Sequence, residues 1–156
     1  MHNQWRGYSS MAEKVVLPRV QIESPFSAPT LEGTIIRAAY TQMAIHHSLT
    51  QHESPFASHW MYPPVLNDNL PEERTLGMEA GFARYIESDL IALYLDLGMS
   101  GGMRAGLEVA SQYNIPIVER RLYDAALTLE EIEARIKKDA IRPLDALAGV
   151  YGWIHD

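Results

Sequence analysis

Residues 89–96 read DLIALYLD, an almost uninterrupted apolar run between two aspartates. The run has the length of a β-strand, and a strand that is apolar on both faces is typical of a parallel sheet covered by helices on both sides. We therefore predict a central strand from Leu90 to Leu95. Asp96 follows at its carboxyl end, where open parallel sheets bind their ligands.

Strands and helices alternate along the rest of the chain. Further strands are predicted at residues 14–23, where Pro18 interrupts the run, at 55–61 and at 115–119. Helices are predicted at residues 30–49, 71–85, 103–113 and 128–138, and the last stretch, residues 141–156, has helical spacing. This order, βαβαβαβ, predicts an α/β fold with a parallel sheet of four to five strands and helices on both faces.

The 156 residues amount to one folded domain. We predict an N-terminal arm at residues 1–13, an α/β domain at 14–123 and a C-terminal helical extension of the same domain at 124–156. The chain has no cysteine, which excludes disulfides, thiolate metal sites and thiol nucleophiles. This composition is compatible with a reducing cytoplasm.

Charge and hydropathy exclude two classes of partner. The chain has 13 lysines and arginines against 20 aspartates and glutamates, a net charge of −7. An acidic surface repels phosphate backbones, so we expect no nucleic-acid partner. No apolar run approaches the roughly 20 residues of a membrane-spanning helix, and the N-terminus lacks the residue order of a signal peptide. We therefore expect no membrane partner and a cytoplasmic location.

Familiar catalytic and metal-binding patterns are missing from the sequence. His46, His47, His52 and His59 lie close together, but adjacent helical side chains diverge by about 100° and no carboxylate follows at a ligand spacing. The chain also has no G-x-S-x-G, Walker A or G-x-G-x-x-G pattern. We therefore expect no metal and no cofactor.

Two loops at the carboxyl ends of predicted strands carry the candidate ligand-binding residues. The first, Ser24-Pro25-Phe26-Ser27, offers a hydroxyl and an aromatic ring directly after the first strand. The second, Ser100-Gly101-Gly102-Met103, has two glycines just before a predicted helix. Backbone N–H groups and the positive end of that helix can then approach a phosphate or carboxylate.

These loops are part of a longer pattern. Its segments are Ser24-Pro25-Phe26, Pro71-Glu72-Glu73-Arg74, Ser88-Asp89-Leu90-Ile91, Ser100-Gly101-Gly102-Met103, Glu108-Val109-Ala110 and Ile115-Pro116-Ile117. In this order they resemble the nucleoside 2-deoxyribosyltransferase-like superfamily, and more narrowly a small domain of unknown function common in bacteriophage genomes. The resemblance covers about residues 19–119. It implies a flavodoxin-like or Rossmann-like fold, a homo-oligomer and a pocket that takes a nucleoside or nucleotide.

The sequence departs from this superfamily at its nucleophile. The resemblance implies a glutamate six residues after Ser100 that forms a covalent glycosyl intermediate, but this position is Gly106. Glu108 is two residues further on, which turns its side chain by about 200° around a helix. Glu79 on the preceding helix is the candidate accessory carboxylate. Glu108 and Glu79 are the candidate catalytic residues if the protein is an enzyme.

Three functions remain open. The first is a non-catalytic protein that sequesters a nucleotide-derived small molecule, such as an ADP-ribose-type host immune signal, in the host cytoplasm if the protein is phage-encoded. Its predicted ligand-binding residues are Ser24, Pro25, Phe26, His59, Trp60, Arg74, Asp96, Ser100, Gly101, Gly102 and Met103. The second is an N-glycosidase or 2-deoxyribosyltransferase that uses Glu108 or Glu79. The third is a protein-interaction module that has kept only the fold.

Overall fold

The structure is a computed structural model that describes residues 14–152. Four parallel strands form one sheet: β1 (Arg19–Glu23), β2 (Ser54–Phe56), β3 (Leu90–Tyr94) and β4 (Ile117–Arg120). Their order in the sheet is β2-β1-β3-β4, so the chain leaves β1 on one side for β2 and then crosses to the other side for β3. The predicted parallel α/β fold is confirmed. The predicted N-terminal arm lies outside the described residues.

Helices cover both faces of the sheet. They are α1 (Leu31–Thr50), α2 (Ser58–Met61), α3 (Pro71–Ala83), α4 (Gly101–Gln112), α5 (Leu129–Asp139) and α6 (Leu144–Tyr151), and a 3₁₀ turn at Tyr85–Glu87 precedes β3. Helices α1, α5 and α6 share one apolar core with β1 and β3. Helix α4 and the 3₁₀ turn pack on the opposite face. In the part of the chain that is described, no helix combines the length and hydropathy of a membrane span.

Alternation along β3 divides its side chains between the two cores. Ala92 and Tyr94 face the α1 side, whereas Ile91 and Leu93 face the α4 side. This division follows from the two-residue period of a strand. The apolar run therefore forms an inner strand because both of its faces are buried, as the sequence predicts.

Helix caps lie where the sequence places them in two cases. The Gly33 N–H donates to the side chain of Thr30 over 3.1 Å at the start of α1. The Glu131 N–H donates to Thr128 over 3.2 Å at the start of α5. Each bond satisfies one of the N–H groups that a helix start leaves without a partner in the helix. The starts of α1 and α5 are therefore confirmed.

Other predicted boundaries are wrong in detail. Residues 15–17 are exposed and lie outside the strand, which starts after Pro18. Residues 55–61 are extended only as far as Phe56, because α2 follows and packs closely on α3: a Cβ on Gly81 would lie 3.0 Å from the Ser58 hydroxyl. The helix predicted from residue 103 begins two residues earlier, so the glycine pair belongs to its first turn.

Candidate functional site

The carboxyl ends of β1 and β3 lie side by side at the point where the strand order reverses. Glu23 ends β1 and is paired in register with Leu93 of β3. In open α/β sheets the crevice at this reversal is where ligands bind, because the following loops diverge there. Both loops that the sequence marks as candidates start from these strand ends.

A buried carboxyl group lies at the end of β1. Glu23 is only 8% exposed, and its Oε1 accepts a hydrogen bond from the Tyr85 hydroxyl. Burial raises the pKa of Glu23 to about 7, although the hydrogen bond from Tyr85 acts in the opposite direction. The pKa of Tyr85 is also raised, by burial and then by the neighbouring Glu23. The Tyr85 hydroxyl therefore stays protonated at neutral pH, whereas the Glu23 carboxyl is protonated below about pH 7 and ionised above it.

Gly106 of α4 packs directly against this pair. A Cβ atom at residue 106 would overlap the Tyr85 hydroxyl, and it would lie 3.3 Å from Tyr85 Cζ and 3.5 Å from Glu23 Oε1. No side chain fits at this position while Tyr85 keeps its place. The resemblance implies a glutamate here, and the structure brings the carboxyl of Glu23 close to this position from β1.

Sequence reasoning missed Glu23 and Tyr85. Glu23 reads as the polar position of an alternating strand, and Tyr85 as the end of an ordinary helix. The available signal was the position of Glu23 at a strand's carboxyl end, directly before the candidate loop. By contrast, Glu79 and Glu108 are both exposed, and Glu108 lies on another side of α4 from Gly106.

Ser24, the residue after Glu23 in the chain, forms a second polar cluster with His59 and with Thr41 of α1. Ser24 is buried, and its hydroxyl lies 2.7 Å from His59 Nε2 and 3.0 Å from the Thr41 hydroxyl. The Thr41 hydroxyl donates its single proton to the backbone carbonyl of Arg37. All three bonds are satisfied together only if Ser24 donates to Thr41 and His59 donates from Nε2 to Ser24.

This hydrogen-bond order decides what the cluster can do. With its proton committed to Thr41 and its lone pair to His59, Ser24 is not paired with a histidine base that could activate it. Burial lowers the pKa of the half-buried His59 to about 4, so the imidazole is neutral at physiological pH. The cluster is a fixed, uncharged set of hydrogen-bonding groups.

The predicted aromatic residues pack among themselves. The Phe26 ring is 8% exposed and meets Tyr151 of α6 edge-on, with 5.4 Å between the ring centroids. Trp60 is half-buried at 5.3 Å from the Tyr151 ring, and its carbonyl accepts a 2.6 Å hydrogen bond from the Tyr151 hydroxyl. Pro25 is buried in the same loop. These contacts hold the loop after β1 against α6.

Asp96 is engaged inside the protein. Its carboxylate accepts from the Tyr40 hydroxyl at 2.6 Å, the Leu122 N–H at 2.8 Å and the Tyr123 N–H at 3.0 Å. Three donors of this kind use most of the accepting capacity of one carboxylate. Asp96 therefore ties the loop after β4 to α1 and β3.

The second candidate loop caps α4. The Met103 N–H donates to the Ser100 hydroxyl over 3.2 Å, and the Met103 side chain is 1% exposed in the core. Gly101 and Gly102 form the exposed first turn, and a Cβ on Gly101 would meet nothing within 4 Å. The positive end of a twelve-residue helix thus opens to solvent here. Arg74, on α3, is exposed.

Metal ligands do not converge in residues 14–152, where no group of three or more His, Asp or Glu side chains could hold an ion. His46 and His47 are adjacent on α1, and His47 Nδ1 lies 2.9 Å from the Tyr94 hydroxyl.

Comparison with known protein families gives a match to the α/β part of the chain. Residues 18–120, from just before β1 to the end of β4, match a family described as a domain of unknown function (DUF7768). The match spans roughly two thirds of the chain and contains every candidate residue named for the site, from Ser24 to Glu108. No curated protein matches the sequence.

Proposed function

The chain belongs to the DUF7768 family, a domain of unknown function, and from this premise we propose that it binds a nucleotide-derived small molecule without converting it. The proposed site is the carboxyl edge of the sheet between β1 and β3. The observation that carries the proposal is the contact of Gly106 with Tyr85 and Glu23. The hydrogen-bonded pair of Glu23 and Tyr85 stands close to the position at which the resemblance implies a reactive carboxylate.

The protonation of Glu23 favours binding over turnover. Attack on a sugar's anomeric carbon requires an ionised carboxylate that can stabilise and capture an oxocarbenium-like centre. Glu23 is half protonated at about pH 7 and shares its Oε1 with the Tyr85 hydroxyl. A neutral carboxyl in that state both donates and accepts hydrogen bonds, which suits recognition of ribose hydroxyls or a base edge.

The first turn of α4 supports an anionic ligand. The exposed backbone at Gly101 and Gly102 lies at the positive end of the helix, and no side chain there blocks the approach of a phosphate. Ser100 already caps the Met103 N–H, so the amides of the two glycines remain for the ligand. This arrangement suits a ligand with an anionic group.

The test is retention of intact nucleotide. Purified protein is incubated with nucleoside monophosphates and cyclic ADP-ribose-type nucleotides, filtered, washed and denatured, and both fractions are analysed by mass spectrometry. We expect an intact nucleotide to be released only on denaturation. We expect less of it with E23Q and an unchanged amount with E108Q, because Glu108 is exposed and away from Gly106. Failure of the parent protein to retain any nucleotide would overturn the proposal.

A second function is favoured by one distance. Glu23 Oε1 lies 3.5 Å from where the first side-chain atom of residue 106 would stand, so an N-glycosidase using Glu23 in place of Glu108 or Glu79 is the alternative. Its carboxylate would bond to C1′ as the N-glycosidic bond breaks, the departing base would take a proton from water, and water would then hydrolyse the glycosyl ester.

The alternative has its own signature. Free base and sugar phosphate would appear in the filtrate, and the rate would rise with pH through about 7 as the Glu23 carboxyl ionises. E23Q would abolish release, whereas E108Q and E79Q would retain it. Release that is lost with E108Q but kept with E23Q would contradict a catalytic role for Glu23.

A further inference from the structure

Strand β4 is exposed on both of its faces, unlike β1 and β3. Ile117 is 42% exposed and Val118 is 36% exposed, and they point to opposite faces because side chains alternate along a strand. In β1 and β3, by contrast, every residue but the first is buried. No described strand lies beyond β4, which ends the sheet. Apolar side chains on an open edge strand mark a place where another chain can pair.

The backbone of this edge is also open to pairing. The carbonyls of Pro116 and Arg120 accept hydrogen bonds of 2.8 and 3.0 Å from N–H groups on and directly after β3, and the Leu122 N–H donates to Asp96 on the same side. Backbone groups alternate between the two sides of a strand in a parallel ladder, so the even-numbered residues face β3. The odd-numbered residues therefore turn outward: Ile117, Glu119 and Arg121. Pro116, which lacks an N–H, belongs to the inner set and does not block the outer edge.

We propose that a second copy of this chain pairs with the outer edge of β4 in antiparallel orientation, so that two four-stranded sheets join into one of eight strands. Two identical edges related by a two-fold axis run antiparallel, and each contributes the same residues to the interface. The pairing gives the outward N–H and carbonyl groups partners and removes apolar surface of β4 from water. This interface does not depend on the ligand proposed above.

Charges along the edge select the register of this pairing. Glu119 and Arg121 are exposed, and they point to the same face of the sheet because they are two residues apart. A two-fold axis beside Arg120 places Glu119 opposite Arg121 of the second copy, and Arg121 opposite its Glu119, so that two pairs of unlike charge form. An axis beside Glu119 would place the two Glu119 carboxylates opposite each other, which is destabilising. Axes nearer the start of β4 would place Glu119 opposite an isoleucine. The charges of this chain are therefore complementary to a second copy in one register.

Arg120 does not obstruct this register, although the two copies of it meet at the axis. Its guanidinium donates to both carboxylate oxygens of Glu53, over 2.6 and 3.0 Å, and its guanidinium carbon lies 5.9 Å from the centroid of the Tyr94 ring on β3. The side chain thus leans over β3, away from the edge, and Glu53 compensates its charge. On the same face, Val118 lies opposite the half-buried Leu122 of the second copy, so an apolar contact adjoins the axis.

The oligomeric state of the full chain tests this interface. Sedimentation velocity gives the mass of the particle, and amide hydrogen exchange reports on the N–H groups of Glu119 and Arg121, which point away from β3. We expect a dimer that dissociates on dilution, and we expect these two amides to exchange at least about tenfold more slowly in the dimer than in the diluted protein. A parent protein that remains monomeric up to about 1 mM would overturn the inference.

Charge reversal tests the register. E119R and R121E each place like charges opposite one another in both pairs, so each should raise the dissociation constant of the dimer about tenfold or more. The double variant E119R/R121E restores unlike pairs and should recover the affinity of the parent protein. E72R is the control: it changes the net charge as E119R does, but it lies in the exposed first turn of α3 and should dimerise like the parent. A dimer that E119R leaves intact, or that the double variant fails to restore, would overturn the inference.

Discussion

Replacing Glu23 with glutamine should stabilise the protein in a pH-dependent way. The substitution keeps the size of the side chain and an oxygen that can accept from Tyr85, but it removes the ionisable group. In the folded protein burial raises the pKa of Glu23 from 4.5 to about 7. The difference corresponds to about 3 kcal/mol, because one pKa unit is worth about 1.36 kcal/mol.

The sign follows from where protons are bound. Well below pH 4.5 the carboxyl is protonated in both states and its pKa difference has no effect on stability. Between pH 4.5 and about 7 the unfolded chain releases the proton while the folded protein keeps it, so the parent protein loses stability as pH rises. Above pH 7 the full penalty of a buried charge is present. E23Q avoids this penalty at every pH.

Urea denaturation of the parent protein and E23Q at pH 4.5 and pH 8.5 measures the effect. We expect the advantage of E23Q in free energy of unfolding to be about 3 kcal/mol larger at pH 8.5 than at pH 4.5. E108Q is the control, and its difference from the parent should stay within about 0.5 kcal/mol at both values because Glu108 is exposed. An E23Q advantage that is the same at both pH values would refute the reasoning.

Three other substitutions test the packing of the site by urea denaturation. G106A should lower the free energy of unfolding by about 1–3 kcal/mol, because the new Cβ overlaps the Tyr85 hydroxyl. In a Y85F background the nearest atom is 3.3 Å away, so the same substitution should cost well under 1 kcal/mol. Equal costs in both backgrounds would contradict the contact. S24A should cost about 1–3 kcal/mol because it leaves the His59 Nε2–H unpaired, and an unchanged stability would argue against that bond. D96N should cost about 2–3 kcal/mol and speed amide exchange in the loop after β4, and unchanged exchange would refute its anchoring role.

Local signals were sufficient to predict most of the fold. These signals each involve only a few consecutive residues: the apolar run at Leu90–Tyr94, the cap at Thr30, and the proline and acidic residues that open α3. They depend on the alternation of side chains along a strand and on the unpaired N–H groups at a helix start. Both are properties of the local backbone, so the elements form wherever the fold buries their apolar face. They failed at residues 55–61, where packing between α2 and α3 outweighed the β-like composition.

The candidate site was only partly predictable. The sequence placed Ser24 and Ser100 in loops at the carboxyl edge, and the structure has both there because loops that follow parallel strands gather at that edge. It also marked Phe26 and Asp96, which the structure uses in internal contacts. Whether a polar or aromatic side chain in a loop faces solvent or the core depends on the neighbours that the fold supplies, and no local pattern encodes them.

The amino-acid order thus specified a parallel α/β sheet, its inner strand and the edge at which ligands are expected. Long-range packing alone brought together Glu23, Tyr85 and Gly106, which come from β1, the 3₁₀ turn and α4. It likewise buried Gln21 without a partner in the described chain. Periodicity and capping are set by nearest neighbours along the chain, whereas the proton affinity of a carboxyl and the pairing of an amide depend on atoms that only strand order and helix packing bring close.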